Sequence, residues 1–197
     1  MNSFWQEIHR FDQEITLCIN SMHTEFTDVI MKVFSNIQVW IPMYVIVVVF
    51  LFMRLGWKKA LIVTASVALA FGMCDQFSNF IKDTVGRVRP CNDDFMLQNG
   101  IWLLENPSRS FGFFSAHAAN SFSFAVSTFI GFRNDKRLKY RGYAAWIFFW
   151  ASLVSVSRIF VGKHYFGDVL TGIIVGVLIG LFTAWLARAV IRKLKLS

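Results

Sequence analysis

Residues 164–188 read HYFGDVLTGIIVGVLIGLFTAWLAR. From Val169 to Ala187 the run carries no charge, close to the roughly 20 residues that take a helix across a bilayer. At its head stand His164 and Asp168, four apart and so on one helical face. Gly172, Gly176 and Gly180 follow at the same spacing, a stripe that lets another helix backbone approach closely. Packing within a bundle is the expected use of that stripe, with dimerisation the alternative. The stretch predicts a membrane helix with a polar pair at its entrance.

Working outward, further apolar runs at 36–53, 60–81, 111–132 and 143–161 give five spans with 168–188. Hydrophobic residues make up 55% of the 197 positions and charged ones 16%, a balance that suits lipid better than water. Ahead of the spans, Phe4, Ile8, Phe11, Ile15 and Ile19 recur at helical spacing, as do Phe26, Val29, Ile30 and Val33. Acidic residues interrupt both sets, so these are expected as amphipathic helices lying in the interface. A sixth, shallow span is the alternative for one of them. The expected fold class is all-α, a polytopic membrane helix bundle. One membrane-embedded domain would cover 1–197: 1–35 interfacial, 36–188 the transmembrane core and 189–197 a basic tail. Residues 1–20 are polar and amphipathic, unlike a cleavable signal, so an internal span is expected to direct insertion.

The net charge of +8 does not point to nucleic acid, because the cations form no continuous stripe. They sit in short loops instead: Arg54, Lys58 and Lys59; Arg133 to Arg141; and the chain end. With every span crossing, these three regions share a side, which the positive-inside rule makes cytoplasmic. All of the twelve acidic residues except Asp135 then fall on or near the outer side. The three cysteines are too few for a disulfide framework or a zinc site, with a Cys18–Cys91 bridge as the one candidate pairing.

This topology brings three polar blocks to the outer face: Lys82 with Arg89–Pro90, Ser115–Ala116–His117, and Ser157–Arg158 with His164 and Asp168. A carboxylate bonded to one imidazole nitrogen fixes the tautomer and sharpens the other nitrogen as a nucleophile. Taken alone, the pair reads more readily as a structural helix cap. His117 stands at a helix start, where free amides bind anions, and an imidazole there can protonate a leaving oxygen. Lys82, Arg89 and Arg158 would repel one another without an anion between them, which argues for an anionic ligand. Asp75 lies on the polar face of the 60–81 span, expected to support a site cation. Arg87 and Lys163 read as cations snorkelling to headgroups. In the 91–110 loop, the apolar patch Ile101–Leu104 is expected either over the site or against lipid.

Lys-x6-Arg-Pro, Ser-x-His and Ser-Arg-x5-His-x3-Asp, in this order, resemble the signature of the type 2 phosphatidic acid phosphatase superfamily. The resemblance implies a metal-independent hydrolase without a cofactor. It implies His164 as the nucleophile forming a phosphohistidine, Asp168 as its orienter and His117 as the acid. Lys82, Arg89, Ser115, Ala116 and Arg158 would cradle the phosphoryl oxygens. The middle block departs from the family's usual Pro-Ser-Gly-His, with Phe114 and Ala116 in place of proline and glycine. The implied substrate is a membrane lipid phosphate: undecaprenyl diphosphate, lipid A phosphate, phosphatidylglycerol phosphate or phosphatidic acid. The implied setting is a bacterial inner membrane, with the site facing the periplasm. Phosphoryl transfer between lipids, or a transporter or scaffold keeping the anion site, are the alternatives; no nucleic-acid partner is expected.

Overall fold

A helix forms at each of the predicted apolar runs. The structure, a computed structural model, describes residues 3–196, so residues 1–2 and 197 of the expected domain lie outside it. In chain order it holds α1 (Ser3–Asn20), α2 (Glu25–Ser35), α3 (Ile41–Leu55), α4 (Trp57–Val85), α5 (Asp94–Gln98), α6 (Ala116–Phe132), α7 (Arg141–Phe160) and α8 (Phe166–Lys193). No strand occurs among the described residues. Four segments are long and apolar enough to cross a membrane: Ile37–Leu55, Trp57–Gln98, Arg141–Phe160 and Phe166–Lys193.

The run at 111–132 forms a shorter helix than its apolarity suggests. Residues 111–115 stay out of α6, which has 17 residues and is capped by Ser115. The cause is cross-linking by the backbone: Gly112 N–H donates to the Arg87 carbonyl at 2.8 Å, and Ser115 N–H donates to the Asp168 carbonyl at 3.0 Å. At its far end α8 continues helically to Lys193, absorbing most of the expected basic tail.

The glycine stripe of α8 faces α6. A Cβ added at Gly172 would meet the Ser115 carbonyl at 2.5 Å, and one at Gly180 would meet Val126 Cβ at 2.9 Å. At Gly176 it would collide with the Ala119 backbone, which cannot swing aside as a side chain can. Gly176→Leu is therefore expected to cost about 1–3 kcal/mol or more by overpacking, read as a lowered unfolding temperature in detergent. Unchanged stability would mean that this helix pair is not closely packed.

The helices alternate in direction, so α4 and α7 end where α6 and α8 begin. The opposite end gathers Arg54, Lys59, Arg133, Arg188 and Arg192 around one cavity. Asp135 stands among these cations, accepting from Arg54 at 2.9 Å, Arg137 at 2.8 Å and Tyr140 at 2.6 Å. Hydrogen bonds from Arg137 and Tyr140 hold its carboxyl below the usual carboxylate range.

Helix α1 turns its faces the unexpected way for a protein dissolved in water. Phe4 and Phe11 are 62% and 64% exposed, while Thr16 and Asn20 are 0% and 1% exposed. The buried polar stripe docks on the ends of other helices. The Asn20 amide donates to the carbonyls of Ile159 and Phe160, at the end of α7, and to that of Trp102. Trp102 N–H returns to Asn20 Oδ1 at 2.7 Å, and its ring stacks on His23 with centroids 4.5 Å apart. The 101–104 patch thus covers the α1–α2 corner, with Leu103 packed against Gly162. Cys18, Cys74 and Cys91 are all free, so the Cys18–Cys91 pairing is not made.

Candidate active site

The segments that converge at this end are the end of α4 with residues 86–90, the start of α6, the end of α7 and the turn into α8. Glycine at 86 adopts φ +63°, terminating α4 and turning the chain so that Arg87 and Arg89 follow the helix instead of extending it. His164 lies in the tight turn between α7 and α8, its N–H donating to the Arg158 carbonyl at 3.2 Å. Asp168 is the N3 residue of α8 and accepts from Tyr165 N–H at 3.1 Å, so the carboxylate caps its own helix. The capping reading of the His164–Asp168 pair is thereby met.

His164 is 2% exposed and Asp168 0%. Nδ1 of His164 lies 3.5 Å from Asp168 Oδ2, slightly too long for a hydrogen bond. Nδ1 has no hydrogen-bond partner among the described residues. On the other side of the ring, Arg89 Nη1 is 3.0 Å from Nε2. Because a guanidinium only donates, Nε2 carries the lone pair and the ring proton sits on Nδ1, towards Asp168. Burial pushes the His164 imidazole well below its ordinary range, and the charges of Arg89, Arg158 and Lys82 push it further. The ring is thus held neutral with Nε2 able to act as a nucleophile.

Arg89 is fixed from several directions. Its Nε donates to the Ser110 carbonyl at 2.8 Å, Nη2 to Ser110 Oγ at 3.0 Å and Nη1 to the Lys163 carbonyl at 3.1 Å. Gly112 passes between Arg89 and Asp168. A Cβ there would lie 3.2 Å from Asp168 Oδ2 and 3.3 Å from Arg89 Cγ, so glycine allows the close approach. Ser115 is fully buried, and its Oγ accepts from Ala118 N–H at 3.4 Å. The amides of Ala116 and His117, in the first turn of α6, have no intrahelical acceptor and suit an anion. Phe114 is buried against Phe77, and its carbonyl accepts from Ser78 Oγ at 3.4 Å, so the ring packs into the bundle.

His117 is half-buried and lies within the electrostatic reach of Arg158, His164, Lys82 and Arg89. Arg158 donates to Ser35 Oγ, which donates to Glu105, and Arg158 Nη1 lies 3.6 Å from Glu105 Oε1. Its Nε is buried without a partner among the described residues. Lys163 lies 3.9 Å from Glu105 and donates to the Asn106 carbonyl. Asp75 accepts from the Asn120 amide at 2.7 Å, an amide where a cation had been expected.

Two expectations are corrected. Neither Arg87 nor Lys163 snorkels to headgroups. Lys163 is tied to the 105–106 loop, and Arg87 is locked between carboxylates, 2.7 Å from Asp168 Oδ1 and 2.6 Å from Asp12 Oδ2. Arg87, Asp12, Gly112, Ser110 and Glu105 are the site residues that sequence reasoning missed. The signal for Asp12 was the stripe Asp12, Thr16, Asn20, small polar residues on one face of α1 at the spacing of a buried seam.

The profile of the PAP2 superfamily matches residues 59–192. A lipid A 4'-phosphatase of Bacteroides thetaiotaomicron is 33% identical over 185 residues, 93% of this chain and 78% of that protein. A lipid A 4'-phosphatase of Porphyromonas gingivalis is 29% identical over 172 residues, 87% of this chain and 70% of that protein. Among solved structures, the transmembrane PAP2-type phosphatidylglycerolphosphate phosphatase of Bacillus subtilis is similar with a TM-score of 0.70 at 21% identity, covering 93% of this chain and 87% of that one. At that identity the likeness speaks for the fold alone.

Proposed function

The chain belongs to the PAP2 superfamily, and from that membership and the geometry of its site we propose that it hydrolyses a phosphate monoester of lipid A through a phosphohistidine on His164. It is a membrane lipid phosphatase; the substrate and the residue roles are the proposal. The observation that carries the reading is the line Arg89–His164–Asp168, with one imidazole nitrogen facing a guanidinium at 3.0 Å and the other facing a carboxylate at 3.5 Å.

A phosphate oxygen bound by Arg89 places phosphorus next to Nε2. Nε2 attacks, the N–P bond forms and the P–O bond to the sugar breaks. His117 gives its proton to the departing alkoxide, then takes one from water as that water attacks phosphorus and the N–P bond breaks. Arg89, Arg158 and Lys82, with the amides at the start of α6, offset the charge that gathers on the equatorial oxygens. These cations supply the stabilisation for which many phosphoryl-transfer sites recruit a metal, so chelators should leave the rate unchanged. Asp75, which accepts from the Asn120 amide, lies two turns before Lys82 on the same helix.

Five crossings, α3, α4, α6, α7 and α8, form the bundle, with α1 and α2 at the interface. At 17 residues α6 spans about 26 Å. The basic loops face the cytoplasm. The site therefore opens on the extracytoplasmic side of the inner membrane, where an amphiphilic substrate reaches it with its chains still in lipid.

The substrate proposal is carried by the two similar lipid A 4'-phosphatases. Its test is phosphate release by the purified protein from lipid A, phosphatidylglycerol phosphate, undecaprenyl diphosphate and phosphatidic acid. Lipid A should have the highest kcat/KM, with the phosphate lost from the 4' position. Faster turnover of another lipid would sink the substrate and keep the phosphatase; release from none would contradict both.

A further inference from the structure

Arg87 sits outside the cation cradle, yet its guanidinium makes the shortest contact to the carboxylate that orients the nucleophile. Asp168 Oδ1 accepts from Arg87 Nη1 at 2.7 Å, leaving Oδ2 to Tyr165 N–H and to the His164 ring. The other arm of the guanidinium meets Asp12 Oδ2 at 2.6 Å and His9 Nδ1 at 3.3 Å. The guanidinium carbon stacks 4.0 Å from the centre of the Tyr165 ring. Arg87 is therefore held by groups from α1, α8 and the turn before α8.

Asp12 is itself fixed. Its Oδ1 accepts from Gly167 N–H at 2.7 Å, and the next donor back, Phe166 N–H, is taken by Thr16 Oγ1 at 3.0 Å. Two α1 side chains thus satisfy the opening amides of α8. A Cβ at Gly167 would stand 2.9 Å from Asp12 Oδ2, so the approach depends on glycine there.

We propose that Arg87 is a positioning residue for the nucleophile, and that Asp12 of the N-terminal helix holds it in place. The connection runs Asp12–Arg87–Asp168–His164. It makes α1 part of the catalytic apparatus. A carboxylate with one oxygen clamped cannot rotate, so its second oxygen stays opposite Nδ1 of His164. The clamp also draws charge from Asp168, so the carboxylate orients the imidazole without drawing a second proton onto it. The inference rests on reading His164 as the nucleophile.

The charged and titratable groups facing His164 are Lys82 of α4, Arg89 after it, His117 of α6, Arg158 of α7 and Asp168 of α8, with Arg87 behind Asp168. Removing the Arg87 charge leaves Asp168 free to stabilise the imidazolium. Protonation of His164 then occurs at higher pH, and the acid limb of kcat/KM moves up.

The test measures kcat, KM and the pH profile of the full chain with Arg87→Met, Arg87→Lys, Asp12→Asn and the Arg87→Met/Asp12→Asn pair. Arg87→Met should lower kcat about 100-fold with KM nearly unchanged, and move the acid limb up by about one pH unit. Arg87→Lys keeps the charge but not the fork, so kcat falls while the limb stays in place. Asp12→Asn should lower kcat less, and the double variant should be no slower than Arg87→Met, because both act along one route. A purely structural role moves no limb and gives multiplying losses; either result overturns the inference. Should Arg87→Met fail to fold, Arg87→Lys and Asp12→Asn decide by the same kcat-against-KM split. If His164→Ala is inert while Arg87→Met behaves normally, only the positioning role falls. If both are active, the nucleophile assignment falls too.

Discussion

His164→Ala should abolish phosphate release from lipid, a loss of about 10⁴-fold or more, as expected when a covalent nucleophile is removed. Without Nε2 no N–P bond can form, and the cradle of Arg89, Arg158 and Lys82 is left to bind phosphate without attacking it. His164→Gln nearly keeps the volume of a side chain that is 2% exposed, and it should be as inactive, which separates chemistry from packing. Burial and the surrounding cations hold the imidazole below its ordinary value of 6.5. Because the protonated form is the disfavoured one, the ring stays neutral as pH falls through that value, and activity is lost only below it. Phosphate and lipid A should still bind the variant, with lost turnover as the sole change. Substantial turnover by either variant would contradict the mechanism.

His117→Ala should lower lipid hydrolysis about 10³-fold, within the range for loss of a general acid. The loss should depend on what leaves. A sugar alkoxide is a poor leaving group and needs a proton as the P–O bond breaks, whereas a nitrophenolate leaves without one. In the first step, read as the burst of nitrophenolate from 4-nitrophenyl phosphate, the same variant should stay within about tenfold of the intact protein, whereas water attack on the phosphohistidine is slowed whichever group has left. His164→Ala should be inactive on both. Equal losses of this first step on both substrates would remove the acid role from His117 and leave it a binding residue. The imidazole stands in the first turn of α6, beside the free amides that suit a phosphate anion.

The spans and the blocks at their ends were legible because each depends on local pattern. Apolar length places α3, α4, α7 and α8, and the four-residue spacing of His164 and Asp168 puts both at the mouth of one helix. The glycines of α8 were legible as a close-packing face, though which helix they meet is a matter of tertiary structure. Arg87 was not legible, because its partners Asp168 and Asp12 are 81 and 75 residues away. An isolated arginine near an apolar boundary looks the same whether it reaches for water or for a carboxylate. Nor was the orientation of α1. Amphipathic periodicity defines two faces but not which of them meets the protein, and here the polar one does. The late start of α6 has the same origin, since the bonds that keep 111–115 out of the helix come from Arg87 and Asp168, distant in sequence.

The central claim, covalent catalysis by His164, is tested most directly by trapping. The purified protein is mixed with lipid A carrying a labelled 4'-phosphate, quenched in base within one turnover and mapped by mass spectrometry of its peptides. The mechanism predicts one acid-labile, base-stable phosphate on the imidazole of His164, formed before free phosphate appears and absent from His164→Gln. Label on another residue, or phosphate release at full rate with His164 unmodified throughout the turnover, would contradict it.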